Sequence, residues 1–207
     1  MTLVAVSKTV PIDRLRAALA AGHRVLGENR VQEATAKVPA LAGPGGPAWH
    51  LVGPLQANKA RRAVELFDVL EAIDSLALVA RLDRLVGELR SGRRLPIYLQ
   101  VNVDQDPAKA GFEPGDLTAA LAAIGRPRNV ELAGLMTVGR VGAGPEDARP
   151  TFRRLRELSE QARAAAPALG PGLSMGMSDD FEPAIEEGAT VVRVGRALFG
   201  ARAAGTP

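Results

Sequence analysis

The sequence has no cysteine and few aromatic residues, and each shortage excludes a class of function. Without cysteine among its 207 residues the chain can form no disulfide framework and use no thiol chemistry, which fits a reducing cytoplasm. Aromatic residues make up 3%, so few rings are present on which nucleic-acid bases could stack. The two histidines, His23 and His50, have no partner at a spacing that predicts a metal site or a catalytic triad.

Long hydrophobic runs and an excess of one charge are also absent. No apolar run approaches the length of a membrane span, and no basic region opens the chain as it would in a targeting signal. The net charge is +3, but the arginines stand among acidic residues, as in 81–84 and 153–157. We therefore expect a soluble, cytoplasmic protein with no nucleic-acid and no membrane partner.

Lysine is scarce, which makes the position of each one informative: Lys8, Lys37, Lys59 and Lys109. The first follows residues 3–6, a short apolar run typical of a buried strand. In a strand Val4, Val6 and Lys8 share one face, so burial beside the valines would lower the lysine pKa and make its amine a nucleophile for a carbonyl. The alternative is a solvated lysine that ends a core strand.

Eight strand candidates alternate with helix candidates at a spacing of about 25 residues, the repeat of a (β/α)8 TIM barrel. Among the helices between them we expect 31–38, 114–124 and 145–166, with Asp179 and Asp180 capping a later one. A doubly wound open sheet is the alternative, but the glycine-rich turn expected after its first strand is missing. The sequence thus predicts an α/β protein with one domain over 1–207. The predicted strands are 3–6, 23–26, 49–54, 69–73, 95–103, 130–137, 173–175 and 190–194.

In such a barrel the active site lies at the carboxyl ends of the strands, and phosphate is usually held after the seventh and eighth. Residues 174–178 supply hydroxyls and a glycine there, and Gly195 with Arg196 follows the eighth strand. The alternative is that both segments are only tight turns between strand and helix.

Three polar residues in or near strands are candidates for contact with a ligand or for chemistry. Arg193 lies in an apolar strand, where it requires an acceptor, either a carboxylate or a ligand atom. Asn29 could reach a ligand next to Lys8 or could cap a helix. His50 is the better histidine for proton transfer, because His23 begins its strand at the opposite end of the barrel.

Seven motifs in order closely resemble the pyridoxal phosphate homeostasis protein family. They lie at residues 5–9, 27–33, 49–59, 109–112, 134–137, 174–180 and 192–195. The resemblance implies a single barrel like the N-terminal domain of alanine racemase, of fold type III, that binds pyridoxal 5′-phosphate (PLP). Family members usually carry an extra helix before the first strand, which is missing ahead of Met1. The cover of the barrel bottom and the position of the native start are left open.

The resemblance also implies a role for each site residue. Lys8 would form a Schiff base with the cofactor, Asn29 would hydrogen-bond the ring hydroxyl, and Arg193 would face the pyridine nitrogen. Ser178, Gly195 and Arg196 would hold the phosphate, and Met136 and Ser174 would line the site. The full implied set is Lys8, Asn29, Met136, Ser174, Ser178, Arg193, Gly195 and Arg196.

By this resemblance the chain is a PLP carrier in vitamin B6 homeostasis, not an enzyme. It would buffer PLP or deliver it to PLP-dependent apoenzymes, as a monomer or weak dimer. An amino-acid racemase is the first alternative, but racemases of this fold add a second domain with an opposing base, which we do not expect after Gly200. The second alternative is a sugar-phosphate barrel enzyme that uses Lys8 for aldol chemistry and holds no PLP.

Overall fold

Strands and helices alternate along residues 1–140 and 144–200, which the computed structural model describes. The strands are β1 Thr2–Val6, β2 Val25–Glu28, β3 Ala48–Leu51, β4 Val69–Ile73, β5 Leu95–Gln100, β6 Val130–Met136, β7 Gly172–Met177 and β8 Val191–Val194. The helices are α1 Ile12–Ala20, α2 Val31–Ala40, α3 Ala60–Leu66, α4 Leu76–Leu89, α5 Leu117–Ile124, α6 Arg149–Ala165, α7 Phe181–Glu186 and α8 Arg196–Phe199, with 3₁₀ turns at Ala57–Lys59 and Pro145–Ala148.

The eight strands close into a parallel barrel. Each strand pairs with its sequence neighbours, and β1 also pairs with β8, where Val4 lies opposite Arg193. Parallel strands need a crossover, and α1 to α7 each lie in one on the outside of the barrel. The predicted TIM barrel is confirmed, and all eight carboxyl ends meet on one rim.

Side chains alternate between the barrel interior and the layer under the helices. On β1 the valines Val4 and Val6 belong to the interior cluster with Tyr98, Met136 and other residues, whereas Ala5 belongs to the outer layer. A strand residue faces the side opposite to its neighbours, so both faces of these strands must be apolar in a barrel covered by helices. The predicted common face of Val4 and Val6 is therefore the barrel interior.

Helix α4 shows how the outer layer forms. Its buried residues recur every three or four positions, as a helix that covers one surface requires: Leu78, Val79, Leu82, Leu85 and Val86. Asp83, on the same helix, accepts the backbone N–H groups of Asn129 and Val130 at 2.7 and 2.9 Å, which ties the helix to the start of β6. Of the helices in the described ranges, none has the length and apolarity needed to cross a membrane.

Element ends differ from the predictions where turns or loops compete with the strand. β2 begins at Val25 rather than His23, because the chain turns after α1 and the His23 ring bonds the Val25 carbonyl at 2.6 Å. β5 ends at Gln100, and beyond it Asn102 donates to the loop carbonyl of Asp106. Asp180 occupies the cap position of α7, but its carboxylate accepts the Met177 N–H at 2.6 Å and bonds no N–H of the helix.

The contact between β6 and β7 predicts a strong effect of one methyl group. Gly134 lies opposite Gly172, and a Cβ added at Gly134 would stand 1.9 Å from the Gly172 carbonyl oxygen. Backbone in a central strand cannot move aside, so Gly134→Ala is expected to lower the free energy of unfolding by about 3 kcal/mol. The measurement is urea denaturation. Gly115→Ala is the control, because a Cβ there meets no atom within 4 Å; equal midpoints for the two variants would contradict the expected clash.

Candidate functional site

The site lies on the rim where β1, β2 and β8 end next to one another. Val6, the last residue of β1, pairs with Gly27, and each is followed two residues later by a polar side chain, Lys8 and Asn29. On the other side of β1, the strand β8 ends at Val194 and leads into Gly195. The closure of the barrel therefore brings residues from both ends of the chain to one place.

Lys8 sits in a turn and not at the end of a regular strand. Residues 7–10, here called the lysine turn, are closed by a hydrogen bond from the Val10 N–H to the Ser7 carbonyl at 2.9 Å. Strand alternation stops at Val6, so it does not set the direction of the Lys8 side chain. Lys8 is partly buried at this position. The lowered lysine pKa expected from the sequence stays a prediction.

Asn29 carries an unsatisfied buried atom on the rim. Its Oδ1 is buried without a hydrogen-bond partner, and the N-cap position of the helix that follows is Arg30 and not Asn29. Gly53 packs against the Asn29 backbone, where a Cβ would come within 2.4 Å of the Asn29 carbonyl oxygen. A buried polar atom in a native protein normally has a partner, so the Asn29 amide is suited to a ligand group.

Ser178 and the loop after β8 gather hydrogen-bond donors. The Ser178 hydroxyl accepts the backbone N–H groups of Gly195 at 3.2 Å and Ala197 at 3.3 Å. Gly195 lies close to β1, since a Cβ there would stand 3.2 Å from the Val6 carbonyl oxygen. The Arg196 guanidinium bonds Asp179 at the surface. Backbone N–H groups that converge in this way can hold an anion such as a phosphate.

A buried polar network crosses the barrel beneath the rim. Arg193 donates to the Ser174 hydroxyl and, at 2.8 Å, to the Thr137 carbonyl. Ser174 donates to Glu71 Oε2 at 2.5 Å, and Glu71 Oε1 lies 2.5 Å from His50 Nδ1. The network therefore joins β3, β4, β7 and β8 through inward side chains and reaches the backbone just after β6 at the Thr137 carbonyl.

Burial sets the electrostatics of this network. Removal from water lowers the pKa of the Arg193 guanidinium, and the carboxylates of Glu71 and Asp180 oppose that shift. Burial likewise raises the pKa of Asp180, which the Met177 N–H and the Arg193 charge partly offset. An arginine stays protonated in proteins, so Arg193 brings a fixed positive charge and only N–H donors to the barrel interior.

Comparisons with known proteins agree on one family. The family model "Alanine racemase, N-terminal domain" matches residues 1–203. The pyridoxal phosphate homeostasis protein of Pseudomonas aeruginosa is 43% identical over 208 residues, which are 99% of this chain and 86% of that protein. The chain belongs to the pyridoxal phosphate homeostasis protein family.

Comparison with solved structures agrees with this family assignment. PipY of Synechococcus elongatus, without PLP, superposes with a TM-score of 0.91 at 46% identity and covers 97% of this chain and 93% of PipY. PipY with PLP bound gives a TM-score of 0.89 at 45% identity over 97% of this chain and 92% of PipY. Alanine racemase of Corynebacterium glutamicum shares the fold alone, with a TM-score of 0.71, 17% identity and cover of 100% of this chain and 58% of the racemase.

The site residues implied by the resemblance to the homeostasis-protein family share one region of the barrel. They lie on the rim or on inward positions of the strands that reach it. Ser174 is the deepest, fully buried and engaged by Glu71 and Arg193. Their places are Lys8 after β1, Asn29 after β2, Met136 at the end of β6, Ser174 within β7, Ser178 after β7, Arg193 within β8, and Gly195 and Arg196 after β8.

Sequence reasoning missed Glu71 and the partners of His50. Glu71 stands between His50 and Ser174, so the imidazole does not activate that hydroxyl. A signal was present: Glu71 is a carboxylate inside the apolar run Val69–Ile73. A buried carboxylate in a barrel strand requires a cation or a donor from another strand.

One other candidate site carries less chemistry than the rim. A cavity of about 500 Å³ lies at the amino ends of the strands, between Arg94, Glu131 and Arg163, far from the rim. The Arg94 guanidinium there donates hydrogen bonds to the carbonyls of Pro127 and Val130. Across residues 1–140 and 144–200, no three acidic, histidine or cysteine side chains are grouped to hold a metal ion.

Tyr98 offers a way to measure the polarity of the barrel interior. It is the single tyrosine of the chain and packs in the interior cluster with Val4, Val6 and Met136. Burial raises the pKa of its phenol to about 12, the Glu71 charge adds to the rise, and a hydrogen bond with Thr190 opposes it.

We predict that phenolate absorbance in the folded protein titrates well above the ordinary tyrosine pKa of about 10. The folded state favours the neutral phenol, so this contribution to stability is complete below pH 10 and is lost as the pH rises towards about 12. The loss amounts to about 3 kcal/mol at most. The denatured chain is the control and should titrate near 10; the same midpoint in the folded protein would contradict a dry interior around Tyr98.

Proposed function

We propose that this chain binds pyridoxal 5′-phosphate on Lys8 and serves PLP homeostasis by buffering the cofactor and delivering it to PLP-dependent apoenzymes. The observation that carries the proposal is the orphaned Oδ1 of Asn29, placed across the β1–β2 pair from Lys8. Membership of the homeostasis-protein family and the PLP-bound structure of PipY support it.

The residues on the rim fit the chemical groups of PLP. When bound, PLP supplies an aldehyde that condenses reversibly with a primary amine and a ring that can withdraw electrons. Lys8 offers the amine, and the Asn29 amide offers a partner for a ring hydroxyl. The N–H groups that converge at Ser178 suit a phosphate. Arg193, between these groups, offers donors to a ring nitrogen.

Arg193 limits what the site can do with a bound ring. Its guanidinium has N–H donors but no acceptor, so it would donate to an unprotonated ring nitrogen and would not protonate it. Glu71 and Ser174 keep the guanidinium in place from below. A ring nitrogen without a proton makes a weaker electron sink, which disfavours carbanion chemistry and suits a site that holds the cofactor.

Proton-transfer groups are also poorly placed for turnover. His50 is bonded to Glu71 inside the barrel, and His23 lies at the amino end of β2. Tyr98 is buried and, with a pKa of about 12, stays neutral at physiological pH. Among the residues that the structure describes, these side chains do not form an acid and base pair that opposes Lys8 across the rim. The arrangement supports a carrier with no robust turnover.

An amino-acid racemase is the second candidate, favoured by the fold shared with alanine racemase. Racemisation needs two groups that exchange the α-proton on opposite faces of the substrate. We predict that the PLP-loaded protein produces no D-isomer above the rate of free PLP when incubated with single L-amino acids. The measurement is chiral chromatography, and accumulation of a D-isomer at an enzymatic rate that is lost in Lys8→Ala would establish the racemase instead.

Lys8→Ala tests the attachment point directly. The change removes one side chain from a turn and no core volume, so we expect the free energy of unfolding to change by less than about 1 kcal/mol. The covalent adduct with PLP should disappear. Intact mass after borohydride reduction measures the adduct, and visible absorbance follows it in solution.

Lys59→Ala is the matched control, since Lys59 is also partly buried and ends the 3₁₀ turn that follows β3. The control variant should carry one reduced adduct per chain, as the unmodified protein does. A full adduct on Lys8→Ala would refute Lys8 as the attachment point.

A further inference from the structure

The lysine turn contains a strained residue next to Lys8. Thr9 has φ of 63°, a left-handed conformation, and is the third residue of the turn closed by Val10 N–H and Ser7 O. A turn with positive φ at its third position normally has glycine or asparagine there. A β-branched residue in this region is a genuine outlier. Such strain persists only where surrounding contacts hold it.

Three residues of β2 and α2 hold the turn, and we call Glu28, Glu33 and Lys37 the turn clamp. Glu33 Oε2 accepts the Thr9 N–H at 3.1 Å. Lys37 Nζ donates to the Ser7 carbonyl at 2.7 Å, and Ser7 Oγ donates to Glu28 Oε1 at 2.6 Å. The clamp therefore contacts the residues on both sides of Lys8: Ser7 through its backbone and side chain, and Thr9 through its backbone.

The clamp is itself tied together. Lys37 Nζ lies 2.7 Å from Glu28 Oε1 and 3.7 Å from Glu33 Oε2. Glu33 and Lys37 are one helical turn apart on α2, and the side chains of Glu28 and Lys37 are 0% and 11% exposed. Burial leaves little freedom to Glu28 and Lys37, whereas Glu33 is 28% exposed and is tied to the buried pair through Lys37.

We propose that Glu33 and Lys37 are positioning residues, which hold Thr9 in its left-handed conformation and thereby fix the direction in which Lys8 leaves the backbone at the rim. The role in attachment rests on the proposed function, because it concerns the reach of the Lys8 amine to PLP. A preset direction removes the search among backbone conformations before the amine can attack. Neither residue touches the cofactor in this role.

The clamp can be tested in the protein without PLP. Hydrogen exchange at the Thr9 and Val10 amides is measured by NMR in the unmodified protein and in Glu33→Ala. Loss of the acceptor releases the strained turn, and we expect Val10 exchange to accelerate roughly tenfold, as the loss of one hydrogen bond allows. Glu65→Ala is the control, since Glu65 forms an exposed pair with Arg62 on α3 and should leave the turn unchanged.

Thr9→Gly separates a strain clamp from an ordinary hydrogen bond. Glycine adopts positive φ without strain, so the turn should keep its conformation without help. In the Thr9→Gly background we expect Glu33→Ala to accelerate Val10 exchange by less than about threefold. Equal acceleration in both backgrounds, or none in either, would overturn the proposal.

The second readout is the rate constant for attachment of PLP, followed by stopped-flow absorbance at fixed concentration. Glu33→Ala should attach PLP roughly tenfold more slowly. Glu33→Gln keeps a carbonyl acceptor for Thr9 and should recover most of the rate, as should Glu33→Ala combined with Thr9→Gly. An attachment rate in Glu33→Ala equal to that of the unmodified protein would overturn the positioning role. If the unmodified protein attaches no PLP, the proposed function fails, while the exchange experiment still decides whether the clamp holds the turn.

Discussion

One buried positive charge determines how the interior of the barrel is built. Arg193 on β8 lies away from water, and an uncompensated buried charge is strongly destabilising. Its compensation comes from other strands, with Glu71 on β4 at 3.9 Å, the Ser174 hydroxyl on β7 and the Thr137 carbonyl after β6. These partners require the barrel to close in one register, since a slip by one residue would turn Glu71 or Arg193 outward. The charge that we assign to the site is thus also a constraint on the fold.

The rim above this network has two sides with different tasks. The β1–β2 side carries the amine, held in a strained turn by residues of β2 and α2. The β7–β8 side carries hydroxyl and backbone N–H donors suited to an anion. Arg193 lies beneath and between them as a donor that cannot accept. Under the proposed function, a site of this composition would bind a phosphorylated aldehyde and offer its ring no proton, which suits a carrier rather than an enzyme.

Local patterns were sufficient for the fold, whereas the residues of the site stay a prediction. The alternation of strand and helix candidates predicted the barrel, and an apolar run followed closely by a lysine pointed to Lys8. The partners of Arg193 could not be predicted, because Glu71 and His50 meet Ser174 only when strands far apart in sequence close in register. The left-handed Thr9 was also out of reach, since threonine is not a residue that sequence patterns assign to that conformation. The sequence left two roles open for Asn29, a helix cap or a contact to a ligand. Asn29 is not the N-cap of α2 and its Oδ1 has no hydrogen-bond partner, which favours the ligand contact.

The most direct measurement is a crystal structure of the protein grown with PLP. We predict continuous density from Lys8 Nζ to the cofactor, the ring nitrogen within hydrogen-bond distance of the Arg193 guanidinium, and the phosphate on the N–H groups near Ser178 and Gly195. Arg193 should keep its contact with Ser174, because the guanidinium is positioned before the cofactor arrives. PLP bound elsewhere, or a ring nitrogen turned away from Arg193 towards solvent, would contradict the proposed site.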